Sequence, residues 1–111
     1  MISLKALLSE GLDSKYAEQF QQYILKKYHS KSINGWKANY DRMAGVIEWE
    51  RPNREEVIKA TPFWDGNERL PIDITDANGD EKHSKVYPFK STGDMMKDEA
   101  AYLKIMRNYL K

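Results

Sequence analysis

The apolar residues change their period partway along the chain, and that change limits the fold more than any other feature. Leu12, Tyr16, Phe20, Tyr23, Ile24 and Tyr28 recur by threes and fours, the spacing that gathers side chains on one face of an α-helix. Leu70, Ile72 and Ile74 instead alternate with Pro71, Asp73 and Thr75, as on a half-buried strand. Asn78-Gly79 follows at once, a dipeptide suited to the two positive φ angles of a type I′ hairpin turn. Val86-Tyr87-Pro88-Phe89 supplies the returning strand. A chain that begins helical and then becomes a hairpin belongs to the α+β class.

The remaining elements follow from caps and breaks. Ser3 can cap a short helix carrying Leu4, Leu7 and Leu8, which Gly11 ends. Asp13 or Ser14 caps a second helix running to about residue 29. Ile33, Trp36, Tyr40, Met43, Ala44 and Ile47 return to helical spacing and predict a third helix over 32–44. Gly35 and Gly45 oppose it, since glycine costs about 1 kcal/mol against alanine inside a helix. Residues 46–49 read either as the end of that helix or as a short strand. Thr92 or Asp94 caps a C-terminal helix whose main stripe is Met96, Ala100, Leu103, Met106 or Arg107, and Leu110. Tyr102, Ile105 and Tyr109 form a second stripe. The expected architecture is N-terminal helices, a small two- or three-stranded antiparallel sheet, and a C-terminal helix on one core. A length of 111 residues suits a single domain over 1–111.

Composition removes whole classes of chemistry. With no cysteine, disulfide frameworks, thiolate zinc sites and cysteine nucleophiles fall away. No apolar run approaches the roughly 20 residues of a membrane helix, and Lys5 interrupts the apolar N-terminus in a way a secretory signal does not allow. The formal charge is only +1, but it is unevenly spread. Residues 24–45 carry five cations against Asp41 alone, and residues 65–81 carry six acids against Arg69 alone. Faces of opposite sign suit different partners, or a head-to-tail assembly of copies.

The basic stretch interleaves Lys26, Lys27, Lys31, Lys37 and Arg42 with Trp36 and Tyr40. Cations of this kind seek phosphates and rings stack on bases, so these seven residues are the candidate nucleic-acid contacts. The competing reading puts Trp36 and Tyr40 in the core and leaves the lysines as a solvated face. Phe63 and Trp64, lifted by the turn at Asp65-Gly66, are the candidate protein-contact pair. Asp73 followed by Asp80-Glu81-Lys82 loosely spells a metal-dependent nuclease. An ideal two-residue turn at Asn78-Gly79, however, sets Ala77 opposite Asp80 and Thr75 opposite Lys82, near an exposed tip. His29 and His83 lack metal-ligand spacing, and no nucleophile elbow, P-loop or dinucleotide fingerprint occurs. The reading assigns no catalytic residue, metal or cofactor.

The opening residues Met1-Ile2-Ser3-Leu4-Lys5-Ala6-Leu7-Leu8-Ser9-Glu10-Gly11 resemble the capsid-targeting leader of T-even-type bacteriophage virion proteins. Such leaders are amphipathic segments cut by a prohead protease after a glutamate preceded by leucine or isoleucine. Here Leu7-Leu8-Ser9-Glu10 before Gly11 fits that pattern, making Glu10 and Gly11 the candidate processing site and 1–11 a leader. The resemblance implies a small virion-associated or accessory protein, located in the virion or in the host cytoplasm. The leading functional expectation is therefore a non-enzymatic phage-type protein acting through protein partners, with oligomers in view and no membrane. A nucleic-acid-binding module using the 26–42 face is the alternative, and a metal-dependent hydrolase stands a distant third.

Overall fold

The computed structural model describes residues 14–53 and 55–111, which form two α-helices and one five-stranded antiparallel sheet. The helix expected after Ser3 and the Glu10-Gly11 cut site lie outside these residues.

Helix α1 spans Ser14–Ser30 and buries Ala17, Phe20, Ile24 and Tyr28. This is the face that the threes-and-fours spacing predicts, with Ala17 added to it. Lys27 and His29 occupy its last turn, where positive charge suits the negative end of the helix dipole.

The expected helix over 32–44 does not form. Asn34 and Gly35 both have positive φ, +53° and +87°. Ile33 and Trp36 exchange backbone hydrogen bonds of 2.9 Å in both directions across them. Asn-Gly is therefore a two-residue hairpin turn here, the sequence signal that outweighs the helical spacing. Strand β1 (Lys37–Asp41) then pairs with β2 (Val46–Glu50) across a loop at 42–45. Asp41 Oδ1 accepts the amides of Met43 and Ala44 at 3.0 and 3.3 Å, and Gly45 turns the chain back at φ +71°. In β2, Ile47 and Trp49 are buried between half-buried Val46, Glu48 and Glu50. That is strand alternation, and it resolves residues 46–49 as a strand.

Strand β3 (Glu56–Ala60) pairs with β4 (Arg69–Asp76), and β4 pairs with β5 (Glu81–Pro88). The strand order is simply β1-β2-β3-β4-β5, so the sheet is larger than the two or three strands expected. Asn78-Gly79 does lie in the β4–β5 turn, but not as a two-residue loop. Gly79 has φ +85° while Asn78 keeps a negative φ, and the Asp76 N–H donates to Asp80 O at 2.9 Å. The Asp76 carboxylate captures the amides of Asn78 and Asp80 at 2.9 and 3.0 Å, which favours this longer loop. The register accordingly shifts between Ile74 and Thr75, and Thr75 faces Glu81 instead of Lys82.

Helix α2 spans Met95–Met106 and is capped by Asp94, whose carboxylate accepts the amides of Met96 and Lys97 at 2.9 and 3.3 Å. Its buried residues are Asp98, Glu99, Tyr102 and Met106, and Leu110 is buried just beyond its end. The expected stripe is correct at Met106 and Leu110, whereas Met96 and Ala100 are exposed. Both helices pack on one face of the sheet around Trp49. The Trp49 ring lies 5.6 Å from Tyr28 of α1 and 6.5 Å from Tyr102 of α2. The Trp49 indole N–H donates to Tyr102 Oη at 2.9 Å, and that hydroxyl donates to Ala60 O at 2.8 Å. The buried hydroxyl thus has both partners, as a polar group in a core requires.

Candidate binding groove

The side of α1 turned away from α2 carries Gln22, Leu25, Lys26 and His29, spaced by threes and fours. This stripe stands beside β1, the first strand of the sheet order. Together with Asn39, Tyr40 and Arg42 it encloses a groove of about 510 Å³. Tyr40 is 49% exposed, which is unusual for a residue in a strand beneath a helix, and it supplies the groove's ring. Leu25 adds an apolar wall. Lys26, Arg42 and His29 place basic side chains along the slot, and none of the seven lining residues is acidic. His29 Nδ1 lies 3.2 Å from Ala38 O and 3.0 Å from Asn39 Oδ1. Asn39 is fixed from the other side, where its amide donates to Glu50 at 3.1 Å.

The seven candidate nucleic-acid contacts divide. Lys26, Tyr40 and Arg42 meet in the groove. Lys27, one residue from Lys26, points the other way, with Nζ 2.8 Å from Glu99 Oε2. The hydrogen bonds it donates to Glu99 and Tyr23 hold its ammonium well above the ordinary lysine range. Trp36 is buried, with the Arg51 guanidinium 4.3 Å above its ring, so it offers no stacking surface. Lys31 is exposed beyond the end of α1, and Lys37 lines a separate shallow cleft with Gly35, Glu50 and Arg51.

The expected exposed pair also divides. Phe63 is fully buried, corrected by its packing 5.0 Å from Phe89 and 5.4 Å from Phe20. A backbone φ of +58° at Phe63 turns its ring inward. Trp64 is half-buried and lines a small cleft of about 150 Å³ with Val46, Lys59, Thr61, Pro71 and Asp73, on the sheet face away from the helices. Of the loose nuclease pattern, Asp73 accepts the Ser84 hydroxyl at 2.6 Å and Lys82 pairs with Glu56 at 3.0 Å. Among the described residues no group of three or more His, Asp or Glu gathers as a metal site.

The sequence reading missed the acids that set the groove's geometry. Glu99 receives Tyr23 at 2.8 Å, Tyr28, and Lys27, all from α1. Burial alone raises this carboxyl, but the bonds from Lys27, Tyr28 and Tyr23 outweigh burial and hold it below its ordinary value. Tyr28 is pushed up to about 12, by burial first and by Glu99 second. Asp98 accepts Tyr16 of α1 together with the amide and hydroxyl of Thr92, at 3.0 and 2.9 Å. Burial and then Asp98 raise the Tyr16 phenol far above its usual range. These contacts fix the rotation of α1 about its axis, and so keep Leu25, Lys26 and His29 beside β1. A signal was present: stepping back by fours from Leu110, Met106 and Tyr102 lands on Asp98.

The fold and groove define a helix-backed antiparallel meander with a cationic slot at one sheet edge. No family model, no curated protein and no solved structure matches the chain. Function is therefore argued from the site.

Proposed function

We propose that the chain is a small binding protein of the phage accessory type that acts through protein contacts, with the groove between α1 and β1 as its contact surface. The observation that carries the contact reading is the groove itself. It sets exposed Tyr40 and half-buried Leu25 among three basic side chains, and aromatic, aliphatic and arginine groups of this kind anchor protein interfaces. The virion side of the proposal rests on Leu7-Leu8-Ser9-Glu10-Gly11. No described helix is long and apolar enough to cross a membrane.

A photo-crosslinking residue at position 40, compared with one at Val86 on the far edge strand, tests this in cells that naturally contain the chain. Position 40 should capture a defined protein species and position 86 should not. Equal capture from both positions, or none from position 40, removes the groove as the contact surface.

The convergence of Lys26, Tyr40 and Arg42 favours one further reading, nucleic-acid binding. With two cations in the groove, binding to duplex DNA should fall with salt at a log–log slope of about −2. Crosslinks from position 40 to nucleic acid instead of protein would establish that reading in place of the first.

A further inference from the structure

We infer, resting on the protein-contact reading above, that the groove takes an extended acidic peptide segment, which adds to β1 as a sixth strand.

Two features of the backbone carry this. Among the described residues β1 pairs on one side only, with β2. Ala38 O lies 3.2 Å from His29 Nδ1, so the Ala38 carbonyl points away from β2 and into the groove. Backbone groups of an antiparallel strand point to alternate sides in steps of two residues. The N–H and C=O of Tyr40 therefore face the same way as those of Ala38. Two residues of strand edge thus line a slot whose other wall is a helix. An extended segment adds through edge-facing donors and acceptors of this kind, with pockets for alternate side chains beside them.

The slot also selects by charge. Lys26, Arg42 and His29 line it, and none of its described lining residues is a carboxylate. A strand bearing both acids and apolar side chains matches both sets of lining residues. The apolar side chains meet Leu25 and Tyr40, and the acids meet the basic rim. To add there, the strand must take the Ala38 oxygen from His29, which leaves the imidazole beside the incoming carboxylates. A single-stranded nucleic acid fits less well. Among the described lining residues Tyr40 is the one Phe, Tyr or Trp ring, Trp36 is buried and Lys27 is held by Glu99, so successive bases lack successive broad platforms.

The test uses the full chain and fluorescein-labelled peptides long enough to span β1. The probes are alternating valine–glutamate, alternating valine–lysine, and valine–glutamate with alternate backbone nitrogens methylated. Oligothymidine is the nucleic-acid probe. Anisotropy should show the acidic peptide binding about tenfold or more tighter than the basic one, and Lys26→Ala or Arg42→Ala should each weaken it about three- to tenfold. Backbone methylation should weaken it by a similar or larger factor, and hydrogen exchange at the Tyr40 amide should slow when the unmethylated peptide binds.

Equal binding of the methylated peptide overturns strand addition. Equal binding of acidic and basic peptides, or tighter binding of oligothymidine, overturns the acidic-peptide assignment. Full protection of the Tyr40 amide in the chain alone also overturns it, because the edge is then filled by a second copy or by the chain itself. If position 40 crosslinks to a protein while no peptide binds, strand addition fails and the contact reading stands. If neither occurs, both fail.

Discussion

Lys26 and Lys27 are neighbours in sequence and opposites in circumstance. Lys27 sits on the side of α1 that faces α2, with Glu99 at 2.8 Å and the Tyr23 and Tyr28 rings within 5.7 Å of its ammonium. Lys26, one step around the helix, lines an open groove with Tyr40 and Arg42. One face of α1 is committed to holding the fold and the other is left to meet a partner. The two faces should therefore fail differently when mutated.

The largest effect belongs to the committed face. Glu99→Ala leaves the phenols of Tyr23 and Tyr28 and the Lys27 ammonium without their shared acceptor. Stranding a buried hydrogen-bonding group costs about 1–3 kcal/mol, and the phenol of buried Tyr28 is the group most affected. We expect a loss of about 2–3 kcal/mol in urea unfolding, with Glu99→Gln losing less because its amide oxygen still accepts. A loss below about 0.5 kcal/mol for Glu99→Ala would mean that the acid does not lock the helices together.

Next come two glutamates that should respond to pH in opposite directions. The Glu99 carboxyl is held below its ordinary value of 4.5 in the fold. Its contribution is present above that value and is lost as pH falls through the lower folded value, because the unfolded chain takes the proton first. Glu48, on the sheet face away from the helices, is raised above 4.5 by its burial first and by the charge of Asp41 second. Its stabilising contribution is full below 4.5 and disappears as pH rises through the raised value. Glu48→Gln should therefore gain stability over the parent near neutral pH, and that gain should shrink as the medium becomes acidic. Glu99→Gln should be destabilised near neutral pH and approach the parent in acid. Paired thermal melts across the acidic range check both signs, and a Glu48→Gln gain that grows in acid would contradict the assignment.

The same division explains what the sequence could and could not disclose. Helix α1 was legible because Phe20, Ile24 and Tyr28 bury apolar surface at helical spacing with nothing opposing them. Strand β1 was hidden, and β2 was left open between helix end and strand, because Ile33, Trp36, Tyr40 and Ile47 fit a helical face by count. Asn34-Gly35 decided the matter locally, through two positive φ angles that a helix does not permit. At Asn78-Gly79 the turn was legible but its length was not, since the Asp76 side chain captures two amides and draws a third residue into the loop. Asp98 and Glu99 were missed because a search for apolar stripes passes over acids, although the step by fours from Leu110 reaches Asp98. They are buried because tyrosines 71 to 82 positions away bring them hydrogen bonds, a relation that no local pattern contains. Of the candidate site, the three residues that converge were named from sequence. Their separation from Trp36 and Lys27 depended on which side of α1 and β1 each side chain takes.

The smallest effect on stability should come from the open face, and there it discriminates most sharply between the two roles of α1. Lys26 is exposed, and among the described residues no ion pair holds it. Lys26→Ala should therefore leave stability within about 0.5 kcal/mol of the parent, as surface substitutions away from special contacts do. Alanine also has the higher helix propensity, so the small change can fall on the stabilising side. Lys27→Ala, one position along, should destabilise clearly while leaving groove binding little altered once the chain is folded. Measuring urea unfolding and acidic-peptide binding on both variants gives four values, which must cross if α1 divides its faces. If Lys26→Ala destabilises as much as Lys27→Ala, or if both weaken binding equally, α1 does not divide its faces between fold and partner.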